Sequence, residues 1–189
     1  EQGWKYYFAY GRNVNRTAML GQNGCPNALG GIQASLENYR FAIDQRNVAT
    51  VIRAEGMSAS GILWLINPDD ELQLDACEGV NSTPPYYRKE TVTVKITHAG
   101  AYNSPEEVEA LIYVSNFPEG DTPREGYVEE IIEGLSEAYY SEEIIAPYRK
   151  YLPTKIENVN AVAGNTEPVT DLQPVDIKLT SEFRDIIKQ

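Results

Sequence analysis

The sequence predicts a mixed α+β domain, in which a small β-barrel or barrel-like sheet is flanked by helices. Segments rich in β-branched and aromatic residues fill most of the first half of the chain, and segments with helical periodicity form the end of the domain. Strands and helices do not alternate as they do in a doubly wound parallel sheet. Neither glycine-rich phosphate-binding pattern, G-x-G-x-x-G or G-x-x-x-x-G-K-[ST], occurs. The pattern therefore favours a barrel-like sheet and gives no support to a nucleotide-binding fold.

The predicted strands are rich in β-branched and aromatic residues and end at turn-forming ones. The most regular of them alternates, with Val92, Val94 and Ile96 on one face, as in a half-buried strand. Turns are expected near Asp44–Asn47 and Glu55–Ser58. The six predicted strands are Trp4–Tyr10, Gln33–Asp44, Asn47–Arg53, Ala59–Ile66, residues 86–97 and Val108–Phe117.

A helix is expected to begin at Asn67-Pro68, after the fourth predicted strand. Asparagine can cap the first turn, proline suits the first helical position, and the acidic residues that follow complement the positive helix end. The helix should end near Glu78-Gly79, because glycine readily adopts the left-handed conformation of a helix C-terminus. Earlier in the chain, residues 11–31 form a predicted glycine-rich loop with a short helix near Arg16–Leu20.

Two further helices are predicted toward the end of the domain. The first begins with the spacing of a capping box in Thr122-Pro123-Arg124-Glu125. The second, at about Ser141–Leu152, contains Pro147, which either kinks the helix or marks its start. The apolar stripe of the first of these helices consists of Val128, Ile131, Ile132 and Leu135.

The length of 189 residues suits one domain with a terminal segment. Residues 1–154 carry the predicted elements of that domain. The polar, proline-punctuated residues 155–189 are expected to form a C-terminal extension with a short helix at Glu182–Lys188. The extension could cover a pocket, contribute a homodimer contact or remain a solvated end, and these alternatives stay open.

Net charge excludes several classes of partner. The chain has 16 lysines and arginines against 28 aspartates and glutamates, which gives a net charge of −12. Nucleic acids and anionic membrane surfaces are bound through basic patches, so neither is an expected partner. The sequence shows no apolar run of about 20 residues and no secretory leader. A soluble, acidic, cytoplasmic protein is therefore predicted.

The chain has only two cysteines, Cys25 and Cys77, and one histidine, His98. A zinc site would need all three and a further ligand, without the paired spacing typical of such sites. A Ser–His–Asp triad would have to use His98, which lies where a predicted strand runs into a turn. The two cysteines could form one disulfide or remain free. Catalysis is therefore expected to rest on carboxylates, tyrosines and backbone groups.

Two stretches have features of a reactive site. Gly11, at the end of the first strand within Tyr7–Asn13, allows consecutive N–H groups to point into one cavity and bind an anion. Glu78 lies at the negative end of a helix dipole, which disfavours its ionised form. If neighbouring groups also bury it, its pKa rises toward the range of a general base at neutral pH. Each stretch alone also fits a simpler interpretation. Gly11 could be an ordinary glycine between a strand and a loop, and Glu78 could be a solvated glutamate at a helix end.

Taken together, these stretches and four others resemble the γ-glutamylcyclotransferase family over roughly residues 6–152. The resemblance depends on their order along the chain, since no single motif is decisive. The six matching segments are YFAYGRN (7–13), NYRF (38–41), GILWLI (61–66), LDACEGV (74–80), YYRKETVTV (86–94) and PREGYVEEIIEG (123–134). The resemblance implies a small β-barrel with flanking helices and a pocket at the barrel mouth.

The activity that the resemblance implies is cleavage of a γ-glutamyl amide without water. The substrate's own α-amine attacks its γ-carbonyl, which yields 5-oxoproline and a free amine, so neither a metal nor a cofactor is implied. Glu78 occupies the position of the family's catalytic base. The expected substrate-binding residues are Tyr10, Gly11, Arg12, Asn13 and Tyr127, the middle three through their N–H groups.

Arg12 departs from the family, which usually has serine at this position of the Y-G-S-N motif. A guanidinium is larger than a hydroxyl and always charged. Inside the pocket it could pair with a substrate carboxylate or block turnover, whereas outside it would be ordinary surface. The leading hypothesis is therefore an active enzyme, and the alternatives are a catalytically silent relative that binds a γ-glutamyl-like ligand or a protein partner, and an unrelated barrel domain.

Overall fold

Five strands close into a barrel in the order β1-β3-β2-β4-β5. The computed structural model describes residues 3–98 and 106–154. Strands β1 and β5 pair in parallel, whereas the other neighbours are antiparallel. The predicted mixed α+β barrel with flanking helices is thus confirmed. The strands are β1 (Lys5–Ala9), β2 (Leu29–Ile43), β3 (Ala49–Ile66), β4 (Tyr87–Ile96) and β5 (Glu107–Ser115).

Strands β2 and β3 form one long hairpin. The turn predicted near Asp44–Asn47 is confirmed, with Asn47 at a φ of +70°. The turn predicted at Glu55–Ser58 is wrong, because β3 runs on through these residues. Residues 54–57 instead bulge opposite the single residue Asn38, whose side-chain oxygen accepts a hydrogen bond from a backbone N–H of the bulge at 3.0 Å. The turn-forming residues therefore form a bulge within one continuous strand instead of a turn between two strands.

Within residues 3–98 and 106–154, four helices and two 3₁₀ turns flank the barrel. The helix after β3 begins as predicted, since Asn67 Oδ1 accepts the N–H of Asp70 at 2.8 Å. It also ends as predicted, with Glu78 as the C-cap and Gly79 at a φ of +61°. The helices are α1 (Arg16–Leu20), α2 (Pro68–Cys77), α3 (Tyr127–Glu137) and α4 (Glu142–Ile145), and the 3₁₀ turns are Arg12–Val14 and Ala146–Tyr151.

Helix α3 begins later than the capping-box pattern predicts. The expected start at Pro123 is wrong, because the backbone N–H of Arg124 donates to the carbonyl of Asn47 at 2.9 Å. This contact fastens the segment to the β2–β3 turn. Gly126, at a φ of +74°, then redirects the chain into the helix at Tyr127. Of the predicted apolar stripe, Val128, Ile131 and Leu135 are buried and Ile132 is partly buried.

The helix predicted at about Ser141–Leu152 is instead a short α-helix followed by a 3₁₀ turn, so Pro147 neither kinks a continuous helix nor marks its first residue. Helix α4 gives way to the 3₁₀ turn that contains Pro147. Tyr148 of this turn is buried and packs edge-on against Phe41, with ring centroids 4.9 Å apart. The compact unit ends at Leu152. The predicted extension over 155–189 and its helix at Glu182–Lys188 lie outside the described residues.

The core of the barrel is formed in part by large side chains of β1 and β3. Phe8 and Trp64 are almost fully buried, and each such side chain contributes about 1.5–3 kcal/mol by leaving water. Gly61 allows β3 to approach β1, because a Cβ there would lie 2.2 Å from the carbonyl oxygen of Ala9.

None of the helices within the described residues is both long and apolar enough to cross a membrane.

Candidate functional site

One end of the barrel encloses a cavity of about 540 Å³. Its walls come from the end of β1, the turn between β2 and β3, the C-terminal end of α2 and the start of β4. The resemblance implied a pocket at the barrel mouth, and the fold brings the first strand end and this helix end together there. The six predicted site residues all line the cavity, namely Tyr10, Gly11, Arg12, Asn13, Glu78 and Tyr127.

Glu78 enters the cavity from the C-terminal end of α2. Its backbone N–H donates to the carbonyl of Leu74 at 2.8 Å, which fixes the residue to the last helical turn. Gly79 lets the chain reverse there through its φ of +61°, and a Cβ at that residue would also lie 2.7 Å from the ring of Tyr86. Burial raises the pKa of Glu78 to about 7, although the positive charge of Arg46 opposes this shift. The carboxyl group can therefore exchange a proton near neutral pH.

The loop after β1 lies closely against the rest of the site. Gly11 is tightly packed, because a Cβ there would lie 3.0 Å from the Cβ of Ala49 and 3.2 Å from the hydroxyl oxygen of Tyr127. Asn13 is held from two sides. Its side-chain Nδ2 donates to the hydroxyl of Tyr7 at 3.1 Å, and its carbonyl accepts the indole N–H of Trp64 at 3.1 Å. The loop is thus fixed in position before any ligand binds.

Tyr127, the first residue of α3, reaches across to this loop. Its hydroxyl oxygen accepts the backbone N–H of Ala49 at 3.1 Å and also faces the N–H of Arg12. Burial raises the pKa of Tyr127 to about 12, so the hydroxyl stays protonated at neutral pH. Because both backbone contacts use the oxygen as acceptor, the hydroxyl proton remains available to a ligand.

The guanidinium of Arg12 does not fill the cavity. It pairs with Glu130 on α3, with Nε and Oε2 2.5 Å apart, and the arginine side chain is 58% exposed. Of the two orientations considered from the sequence, the outward one is present. Exposed ion pairs of this kind contribute about 0–1 kcal/mol to stability.

Tyr10 forms part of the cavity wall. It is buried, and its hydroxyl donates to the carbonyl of Tyr113 on β5. This hydrogen bond ties the end of β1 to β5 next to the parallel pairing that closes the barrel. The hydroxyl of Tyr10 is therefore already engaged within the protein.

Arg46 is a site residue that the sequence analysis missed. It follows the fully buried Asp44 in the β2–β3 turn, and its Nη2 and Nε lie 2.7 and 3.1 Å from Asp44 Oδ2. Ser115 donates to the same oxygen at 2.6 Å. A basic residue in a polar turn is common, so one sequence gives no signal that this turn returns to the cavity.

Several further residues of the wall were also missed. They belong to elements that the sequence analysis located, but their inward direction depends on the curvature of the barrel. Aromatic members are Tyr7, Tyr86, Tyr87 and Tyr113, and polar members include Gln22, Asn23, Gln73 and Arg124.

The two cysteines are free thiols, so the disulfide considered from the sequence is not present. Cys25 is buried, and burial raises the pKa of its thiol to about 12. Cys77 is exposed and lines the cavity beside Glu78. His98 is not among the lining residues. Among residues 3–98 and 106–154, no three His, Cys, Asp or Glu side chains converge as metal ligands would.

Solved structures share this fold. A human protein described as uncharacterized is 22% identical, with a TM-score of 0.67 and 100% of both chains covered. A protein described as a γ-glutamyl cyclotransferase is 21% identical, with a TM-score of 0.67 and 98% of both chains covered. A yeast γ-glutamyl cyclotransferase specific to glutathione is 11% identical, with a TM-score of 0.56 over 79% of this chain and 97% of that one.

Sequence comparison identifies the family. Comparison with curated proteins gave no match. A family model described as "Gamma-glutamyl cyclotransferase, AIG2-like" matches residues 7–130, which include the Gly11 loop, Glu78 and Tyr127. The resemblance noted from the sequence motifs is thereby confirmed. Since the match spans well over half of the residues, this chain belongs to the γ-glutamyl cyclotransferase, AIG2-like family.

Proposed function

We propose that this protein is an active γ-glutamyl cyclotransferase with Glu78 as its general base. Its substrate would be a γ-glutamyl amino acid, a γ-glutamylamine or a γ-glutamyl-tagged metabolite. The observation that carries the proposal is the position of Glu78, a carboxyl with a pKa of about 7, in the cavity that the Gly11 loop also lines. The products would be 5-oxoproline and a free amine.

Substrate binding would use the loop after β1. Of the three N–H groups expected from the sequence, those of Gly11 and Asn13 would hold the glutamyl part and oppose negative charge on the γ-carbonyl oxygen, because the N–H of Arg12 faces the hydroxyl oxygen of Tyr127. One such donor typically lowers the barrier by about 3–4 kcal/mol. The hydroxyl of Tyr127, with its proton available, would donate a further hydrogen bond to the substrate, and Tyr10 would shape the wall.

The chemical step would be an intramolecular acyl transfer. The α-nitrogen forms a bond to the γ-carbon, and the bond between that carbon and the amide nitrogen breaks. Glu78 accepts the proton of the α-amine and returns it to the departing nitrogen. An α-amine has a pKa of about 7.7–8.0, close to that of Glu78, so the transfer is nearly balanced in free energy. General base catalysis of this kind contributes about 10²–10⁴-fold.

This scheme needs few groups from the protein. The nucleophile and the leaving group both belong to the substrate, so we propose a reaction without a metal or cofactor. Folding the glutamyl chain inside the cavity would bring the two reacting atoms together. The inactive alternative depended on Arg12, and its outward pairing with Glu130 favours the enzyme.

The domain limits, the oligomeric state and the cellular location also remain proposals. We propose that residues 1–154 contain the catalytic domain, in agreement with a compact unit that ends at Leu152, and that 155–189 form an extension. The homodimer and the cytoplasmic location stay predictions from the sequence.

The test is incubation with a panel of γ-glutamyl amino acids and γ-glutamylamines, with 5-oxoproline measured directly. Wild-type protein should release 5-oxoproline from at least one of them, and Glu78→Gln should lose at least about 100-fold in rate. Glu55→Gln, an exposed glutamate in the β3 bulge, is the matched control and should keep full activity. Full activity of Glu78→Gln would refute the base assignment.

A further inference from the structure

The cavity differs in charge from the chain as a whole. The protein carries a net charge of −12, yet two arginines besides the outward-facing Arg12 line the cavity, against one acidic residue, Glu78. Arg12 pairs outward with Glu130, and Arg124 is exposed, with its guanidinium 5.3 Å from the ring centre of Tyr127. Arg46 is the one whose side chain is largely buried, at 22% exposure. The charged lining residues are Arg12, Arg46, Glu78 and Arg124.

The guanidinium of Arg46 is held rigidly. Asp44 is fully buried and accepts both Nε and Nη2 of the arginine through one oxygen. Three aromatic rings also lie within cation–π distance of the guanidinium, with centres 4.5, 4.6 and 5.3 Å away. They belong to Tyr87, Phe117 and Tyr86. A cation fixed in this way loses little conformational entropy when it binds a ligand.

Part of this guanidinium is not used by the protein. Within residues 3–98 and 106–154, Nη1 of Arg46 has no hydrogen-bond partner, whereas Nε and Nη2 have theirs. The residue lines the cavity, and its charge is near enough to Glu78 to oppose the effect of burial on that carboxyl's pKa. An arginine that served only to neutralise Asp44 would not need to line the cavity beside the proposed base.

We propose that Arg46, positioned by Asp44, binds a carboxylate of the substrate and so determines its specificity. The inference rests on the proposed function and deepens it. Guanidinium groups bind carboxylates through charge-assisted hydrogen bonds. A γ-glutamyl amino acid has two carboxylates, one on the glutamyl part and one on the leaving amino acid. A γ-glutamylamine has only the first.

Three analogues that differ in their carboxylates separate these two sources. None of them can cyclise, because all three lack the α-amine. Glutaryl-L-alanine keeps both carboxylates of a γ-glutamyl amino acid. The monoethylamide of glutaric acid lacks the carboxylate of the leaving group, and butyryl-L-alanine lacks the glutamyl one. Titration calorimetry of each analogue against wild type and variants then measures binding apart from catalysis.

The variants are chosen to preserve folding. Arg46→Lys keeps a positive charge beside Asp44 but lacks the planar fork. The double variant Asp44→Asn with Arg46→Gln removes both charges, so no buried carboxylate is left unpaired. Arg149→Gln, an exposed arginine paired with Glu142, is the control away from the cavity. Thermal unfolding of each variant checks that it is folded.

Both Arg46 variants should weaken binding of glutaryl-L-alanine by about 10- to 100-fold. They should leave binding of one truncated analogue nearly unchanged, and that analogue identifies the bound carboxylate by lacking it. Equal weakening of all three, no weakening, or no measurable binding to wild type would overturn the inference. Loss on Arg124→Gln but not on the Arg46 variants would also overturn it. Arg46-dependent binding by a protein without cyclotransferase activity would refute only the proposed function.

Discussion

Arg12 pairs with Glu130 on α3, with Nε and Oε2 2.5 Å apart, although its backbone belongs to the loop that lines the cavity. The family motif has serine at this position, so the side chain is the main departure from it. Because the guanidinium contacts α3 and is 58% exposed, the loop keeps its shape without placing a charge inside the cavity.

Arg12→Ser should therefore change cyclotransferase activity little. We expect kcat/KM within about twofold of wild type, because exposed ion pairs contribute about 0–1 kcal/mol and the backbone donors are unaffected. Steady-state rates of 5-oxoproline release from a γ-glutamyl amino acid check this. Glu130→Gln, which breaks the same ion pair from α3, should behave alike. Abolished turnover in Arg12→Ser would show that the guanidinium acts in the reaction.

Gly11→Ala should lower activity because a Cβ there would press against both of its neighbours. It would lie 3.0 Å from the Cβ of Ala49 and 3.2 Å from the hydroxyl oxygen of Tyr127, so the loop must shift by a few tenths of an ångström. Small displacements of positioning groups cost up to about 100-fold in rate. The rescue variant is Gly11→Ala combined with Ala49→Gly, which removes one of the two close contacts. Equal activity in Gly11→Ala and wild type would contradict the proposed role of this loop.

Glu78→Gln should stabilise the protein at alkaline pH. Burial raises the pKa of Glu78 from 4.5 to about 7 in the folded state, so folding binds a proton between these values. The contribution of this group to stability is therefore fully present below its unfolded pKa and is lost as pH rises to about 7, a change of up to about 3 kcal/mol. Urea unfolding at about pH 8 should show the variant as the more stable protein, with little difference near pH 4. Glu55→Gln should show no such pH-dependent gain, and a less stable Glu78→Gln at alkaline pH would contradict the burial of this carboxyl.

Cys77 should react with iodoacetamide before Cys25, and its alkylation should inhibit the proposed cyclotransferase activity. Cys77 is exposed in the cavity wall, whereas burial raises the pKa of Cys25 to about 12 and leaves almost no thiolate. Mass spectrometry of the native protein should find one modified thiol, and two after unfolding. The Cys77→Ser variant should resist inhibition. Modification of Cys25 first would contradict the packing around it.

Much of the fold was predictable because its signals are local. The cap at Asn67 and the reversal at Gly79 are chemical properties of those residues, and they placed Glu78 at a helix end. These local signals gave wrong predictions where a contact with a residue distant in the sequence determines the backbone conformation. The bulge over residues 54–57 depends on Asn38, and the late start of α3 depends on the carbonyl of Asn47.

The same distinction applies to the site. Glu78 and Gly11 were found because the family motifs include them. Arg46 was not, since its place in the cavity depends on the buried partner Asp44 and on three rings, of Tyr86 and Tyr87 at the start of β4 and of Phe117 after β5. The direction of Arg12 likewise depended on Glu130, which lies more than a hundred residues away in the chain.

The central claim is that Glu78 is the base, and the pH dependence of kcat/KM tests it most directly. Because a base must be ionised, kcat/KM should rise with pH through a pKa of about 7. Above about 7.7–8.0 it should fall again, because the free substrate then loses the α-amine proton that Glu78 accepts. The residual activity of Glu78→Gln should lack this acid limb, whereas Glu55→Gln should retain it. A wild-type profile with no group titrating near 7, or an unchanged limb in Glu78→Gln, would contradict the account.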